Sequence, residues 1–165
     1  MTASPPVSGT HLRLVPGHLP SRWHPSLARP APRRVAGVRR RPVLYVGGDA
    51  GRRREFFAVA RRWPMVRLLL AGSGRQALRD AAGRRLRLVV VDARVDDLDV
   101  GTLAAELRRV AASPTLPVVV LGDDPSPRTR ARMRWAGVDA YLTTPLAGPE
   151  TDVTVGMLLD SAALR

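Results

Sequence analysis

The chain has 165 residues, 45 % of them hydrophobic, which is enough for one domain with its own core. It contains no cysteine, so disulfides and thiolate metal sites are excluded. No apolar run approaches the roughly 18 residues of a spanning helix, and the N-terminus lacks the apolar core of a signal peptide, so a cytoplasmic protein is expected. The net charge is +13, all 27 basic residues are arginine, and the first 42 residues hold eight of them with no Asp or Glu.

Residues 1–41 read as a disordered tail rich in proline and arginine. Pro5, Pro6, Pro16, Pro20, Pro25, Pro30 and Pro32 interrupt regular structure, and the arginine run repels itself. The tail reads as a linker, with counterion-releasing binding to nucleic acid as the alternative. His11, His18 and His24 are spaced poorly for a metal.

From residue 42 to 165 the texture changes to alternating strands and helices. "PVLYVG" is a strand. "GRRREFFAVARRW" follows as a helix with Phe56, Val59, Ala60 and Trp63 on one face, stopped by Pro64. "VRLLLA" is the second strand, and "SGRQALRDAAG" a short helix ending near Gly83. "LRLVVVD" is the third strand, apolar enough to be buried on both faces. Val100, Leu103, Ala104, Leu107, Val110 and Ala111 mark the third helix, and "LPVVVLG" the fourth strand. "SPRTRARMRWAG" is a helix with Ser126 as N-cap, Pro127 in its first turn and Gly137 as terminator. "DAYLTT" is the fifth strand. From Pro149, Val155, Leu158, Leu159 and Ala162 fall on one helical face, although Thr151, Val153, Thr154, Val155 and Gly156 are weak helix formers.

Five such units predict an α/β fold: a doubly wound, five-stranded parallel sheet with helices on both faces. Strand order 2-1-3-4-5 would place Gly47, Gly48, Asp49 and Asp92 in the crevice at the carboxyl ends of strands 1 and 3.

Five blocks, "VLYVGGDA", "AGSGRQAL", "LRLVVVDA", "LPVVVLG" and "AGVDAYLTTPL", resemble the successive blocks of bacterial response-regulator receiver domains over residues 42–162. The resemblance implies a flavodoxin-like fold and a role in two-component or phosphorelay signalling. It implies Asp92 as phospho-acceptor, Tyr141 as switch aromatic and a cis Thr144–Pro145 bond. In such receivers two acids hold Mg²⁺, and a hydroxyl and a lysine grip the phosphoryl oxygens. Here those positions are Gly47, Gly48, Gly122 and Thr144. The expectation is therefore an atypical, degenerate receiver, not an enzyme, with no cofactor and at most weak Mg²⁺ at Asp49 and Asp92. Asp49 would more naturally cap the first helix, and Arg94 could pair with Asp92. Asp123 and Asp124 read as a solvated turn, with residual metal ligands as the alternative.

Its expected mode is protein–protein interaction, with a sensor histidine kinase or a second copy as partner and no membrane. Arg128, Arg130, Arg132 and Arg134, with Tyr141, form the candidate contact face, and no output domain is expected after the fifth helix. Two alternatives stay open. One is a phosphorylation-competent receiver using Asp92 and Mg²⁺. The other is a dinucleotide-binding Rossmann-type domain using Gly72, Gly74, Ala77 and Asp92. A P-loop is excluded, because "GGDAGRRR" lacks the Gly-Lys-Ser/Thr ending.

Overall fold

The computed structural model describes residues 40–111, 113–146 and 148–161. The tail with its three histidines lies outside the described residues, apart from Arg40 and Arg41, and so does Ala162. Among the described residues, five strands alternate with five helices: β1 (Arg41–Val46), α1 (Ala50–Ala60), β2 (Val66–Ala71), α2 (Gly74–Ala81), β3 (Leu88–Asp92), α3 (Val100–Val110), β4 (Val118–Gly122), α4 (Pro127–Trp135), β5 (Ala140–Thr143) and α5 (Pro149–Ser161). All pairings are parallel, in the expected order β2-β1-β3-β4-β5.

Burial follows strand position. β3 and β4, the LVVVD and VVVLG runs, are buried at every residue, as strands covered on both faces must be. β2, an edge strand, is only partly covered, with Arg67 and Leu70 exposed. One core layer packs Leu44, Val89, Val91 and Val120 against Ala77, Leu103, Leu107 and Met133 from α2, α3 and α4. The opposite layer packs Tyr45, Val90 and Leu121 against Phe56, Val59, Val155 and Leu159 from α1 and α5. Phe56 stacks on Tyr45 with ring centroids 5.2 Å apart. Burying its ring stabilises the fold by about 2–3 kcal/mol.

Helix ends follow capping chemistry. Asp49, Ser73, Asp99 and Ser126 each accept a backbone N–H at the start of α1, α2, α3 and α4. Gly83 and Gly137 take positive φ just beyond α2 and α4, where glycine is the least costly residue. α1 ends at Ala60, three residues short of the expected Trp63. There Arg62 and Trp63 close tighter turns onto Val59 and Ala60, yet the Trp63 ring still packs on the Phe56 layer. α5 forms despite its weak formers. Glu150 and Asp152 favour its N-terminal dipole, and Thr151, Val155 and Leu159 anchor it by burial. Arg62–Asp152 and Arg41–Asp160 ion pairs tie it to the end of α1 and to β1. No helix among the described residues is long and apolar enough to cross a membrane.

Candidate functional site

The carboxyl ends of β1, β3, β4 and β5 meet at one end of the sheet. In register, Asp92 lies beside Leu121, and Gly122 beside Thr143. Past those ends the chain supplies Gly47, Gly48 and Asp49 after β1, Arg94 after β3, Asp123 after β4 and Thr144 after β5. The Thr144–Pro145 bond is cis, as expected.

Asp92 is 1 % exposed. Its Oδ1 accepts the backbone N–H of Arg94 at 3.0 Å, and its Oδ2 has no hydrogen-bond partner. The expected Arg94–Asp92 pairing is thus made by the main chain. The Arg94 guanidinium reaches past it to Asp123 Oδ2 at 2.9 Å and Asp49 Oδ2 at 3.5 Å.

The cation nearest Asp92 comes from α1. Arg52, with a side chain 4 % exposed, places Nε 4.0 Å from Asp92 Oδ2. Its Nη2 donates to Asp123 Oδ1 at 2.6 Å, and its Nη1 donates to Thr144 Oγ1. Thr144 Oγ1 lies 2.6 Å from Asp123 Oδ1. One guanidinium therefore bridges the ends of β3, β4 and β5. Arg52 stands four residues before Phe56 and seven before Val59, on the inward stripe of α1. That placement was the available sequence signal, masked by Arg53 and Arg54, which follow it directly.

Asp123 is far from a merely solvated turn residue. Hydrogen bonds from Thr144, then Arg52, then Arg94 hold its carboxyl down at about 2. Asp124 turns away from the site: it accepts from the Thr129 hydroxyl and then from Ser126 at the start of α4, which lowers its carboxyl below the usual range. Asp49 caps α1 through the Arg52 N–H at 2.6 Å, and that bond, aided by Arg94, lowers its carboxyl also. Among the described residues, no three His, Asp or Glu side chains converge as metal ligands would.

The glycines are filled by their neighbours. A Cβ on Gly47 would lie 2.8 Å from the Asp92 Cβ and 3.2 Å from the Tyr45 hydroxyl; one on Gly48 would lie 3.3 Å from the Gly72 carbonyl oxygen. The Tyr45 hydroxyl is buried without a hydrogen-bond partner, and desolvation, reinforced by Asp92, raises its pKa strongly. A Cβ on Gly122 would lie 2.1 Å from the Tyr141 hydroxyl. Tyr141, expected on the contact face, is instead 8 % exposed, and its hydroxyl occupies the space beside Gly122, accepting the Asp124 N–H at 3.3 Å.

The α4 arginines separate into two kinds. Arg130 is half-buried and donates to the Tyr141 carbonyl and to Thr143 Oγ1, binding α4 to β5. Arg128, Arg132 and Arg134 are exposed beside Trp135, which is 91 % exposed and did not figure among the expected contact residues.

The dinucleotide alternative loses its geometry. The GSG turn follows β2, an edge strand, and β1 separates it from Asp92 on β3. The N-terminus of α2 is already satisfied, because Asp97 accepts the N–H groups of Gly74 and Arg75, each at 2.8 Å, where a pyrophosphate would sit.

No protein-family model matches the sequence, and no curated protein matches it. Solved structures match the fold. A signal receiver domain of an HD-domain-containing protein from Pseudomonas fluorescens Pf-5 aligns with a TM-score of 0.65 at 23 % identity, covering 77 % of this chain and all of that one. A CheY-like response-regulator receiver domain protein from Methanospirillum hungatei JF-1 aligns at 0.63 and 15 % identity, covering 74 % and 96 %. The chemotaxis response regulator CheY4 of Vibrio cholerae aligns at 0.61 and 19 % identity, covering 72 % and 98 %. The chain has the receiver-domain fold.

Proposed function

We propose that this chain is an atypical receiver of two-component signalling that acts by protein–protein interaction, with little or no Mg²⁺-dependent phosphorylation of Asp92. The observation that carries the reading is Arg52, whose guanidinium stands between Asp92 and Asp123 where a divalent ion would have to sit.

Attack of a carboxylate on a phosphoryl group brings negative charges together, and a divalent ion ordinarily offsets them. Mg²⁺ requires near-octahedral oxygen ligands and gives up its water reluctantly. The oxygens here do not fit it. Both Asp123 oxygens are held by Arg52, Thr144 and Arg94. Asp49 is held by the α1 N-terminus and Arg94. Gly47 and Gly48 offer no side-chain ligand, and the space for one is closed by Asp92, Tyr45 and the Gly72 carbonyl. Only Asp92 Oδ2 remains, facing a guanidinium. An arginine, charged at all working pH values, makes the neutralisation permanent.

Tyr141 supports the same reading. Its hydroxyl fills the space that a side chain on Gly122 would need, so its inward position depends on no added group. The fold then presents one fixed surface to its partner, a sensor kinase, a second copy or another signalling protein.

The unpartnered Asp92 Oδ2 favours one other reading, a phosphorylation-competent receiver. Incubation with acetyl phosphate and Mg²⁺, followed by intact-mass spectrometry, separates the two. The proposal expects no phosphoryl adduct. A stable adduct on the wild type that disappears in Asp92→Asn would establish the alternative.

A further inference from the structure

Within the reading of this chain as an interaction module, we propose that the outer face of α4 docks an acidic protein segment that carries an apolar side chain. Trp135 is the anchor, and Arg128, Arg132 and Arg134 are the charges around it.

α4 buries one side chain, Met133. Counting at helical spacing, Arg128, Arg132 and Trp135 stand at i, i+4 and i+7 and so share one stripe; Arg128 and Trp135 lie on the far side from Met133, and Arg132 at the edge towards Asp124. Arg134 flanks that stripe on the side of β5 and α5, where Arg130 is already committed to Tyr141 and Thr143. Among the described residues, no ion pair reaches Arg128, Arg132 or Arg134. The helix holds four arginines and no acid in nine residues; Asp124 at its amino end reaches Arg132 electrostatically, and the like charges otherwise oppose one another. An indole 91 % exposed at the carboxyl end of the same stripe leaves a large apolar surface in water. Tryptophan and arginine together are the side chains that most often dominate a binding interface.

Charge decides the occupant. Residues 1–39 of the chain contain arginine and no acid, so they are repelled rather than bound. A second copy docked α4 on α4 by two-fold symmetry would set three guanidiniums against three. A nucleic-acid strand fits poorly. Nine helical residues rise about 13 Å, room for few phosphates. Asp124 at the amino end of α4 and Glu150 across the groove on α5 would repel a backbone running on in either direction. A short acidic segment satisfies the three guanidiniums and stops there, with an apolar side chain against the Trp135 ring.

The test uses the full chain and a fluorescein-labelled synthetic helical peptide with a leucine stripe flanked by glutamates. A second peptide carries glutamine in place of each glutamate, and an oligothymidylate is the competitor. Binding is read by anisotropy without Mg²⁺ or phosphodonor, so the outcome is independent of whether Asp92 can be phosphorylated. The arginine-rich tail contributes equally to every variant, and the share of α4 is the difference between variants. The glutamate peptide is expected to bind at least ~10-fold more tightly than the glutamine peptide. Trp135→Ala, and separately the Arg128→Gln/Arg132→Gln/Arg134→Gln variant, should each weaken it by ~10-fold or more, while Trp135→Phe retains most of the affinity. Because all four side chains are exposed, the variants should melt like the wild type, which circular dichroism checks. Absence of binding, equal affinity for the two peptides, or affinity unchanged in Trp135→Ala would overturn the proposal. So would Trp135-dependent binding of oligothymidylate tighter than that of the peptide, which would assign the face to nucleic acid.

Discussion

Arginine does opposite things in two regions of this molecule. At the carboxyl end of the sheet, Arg52 is nearly dry among Asp92, Asp123 and Thr144, and the more exposed Arg94 pairs with Asp49 and Asp123. On the outer face of α4, Arg128, Arg132 and Arg134 stand in water beside an uncovered indole. The residue type is the same and the charge is the same. What differs is the company: the first set is paired with carboxylates, while no ion pair among the described residues reaches the second. A net charge of +13 says nothing about this division, because it counts both sets alike.

The sharpest way to break the contrast is to remove the dry arginine. Arg52→Ala leaves Asp92 buried and unpaired and takes one donor from Asp123 and one from Thr144. Breaking a buried charged network of this kind should cost about 3 kcal/mol, read as a lower urea midpoint. A loss under ~0.5 kcal/mol, the range of an ordinary surface substitution, would show that Arg52 is no more than a surface charge. Next in size is Gly122→Ser. The new Cβ cannot coexist with the Tyr141 hydroxyl, so the ring must leave, at about 1–3 kcal/mol. Tyr141→Ala should abolish that penalty in a double-mutant cycle, and additive effects would mean that the two sites are not coupled.

A smaller effect is the acid dependence. In the folded chain Asp123 titrates at about 2, below its ordinary 3.8. The unfolded chain therefore takes the proton first as pH falls. The stabilisation from Asp123 is complete above the unfolded value, declines below about pH 4, and is gone once pH passes below about 2. Arg52→Ala and Arg94→Ala should each flatten that part of the stability–pH curve, and an unchanged curve would remove Asp123 from the network. Smallest of all is Trp135→Ala, expected within about 0.5 kcal/mol of the wild type in stability, since the ring is buried against nothing. A clear loss there would mean that the indole packs on the fold.

Legibility in the sequence follows the same division. Strands β3 and β4, the Ser126 cap and the glycine terminator at Gly137 were readable because propensity, period and capping agree there. The place of Asp92 at a strand end and the role of Asp49 as a cap were readable for the same reason. Arg52 was not, although it shares a stripe with Phe56 and Val59, because an arginine in an arginine-rich helix reads as solvated surface. Its burial comes from partners on β3, β4 and β5, each far away in sequence. The inward Tyr141 was hidden for a related reason: its cause is a missing Cβ on Gly122, one strand over. Trp135 was not legible as surface because an apolar residue at a helix end is usually core, and only the orientation of α4 about Met133 shows that this one is not.

The central claim is that a protein guanidinium holds the place of a divalent ion beside Asp92. A crystal structure grown with saturating Mg²⁺ tests it most directly. The account predicts Arg52 bridging Asp92, Asp123 and Thr144, with no ion between them. Magnesium coordinated by Asp92, with the Arg52 side chain displaced towards solvent, would contradict it.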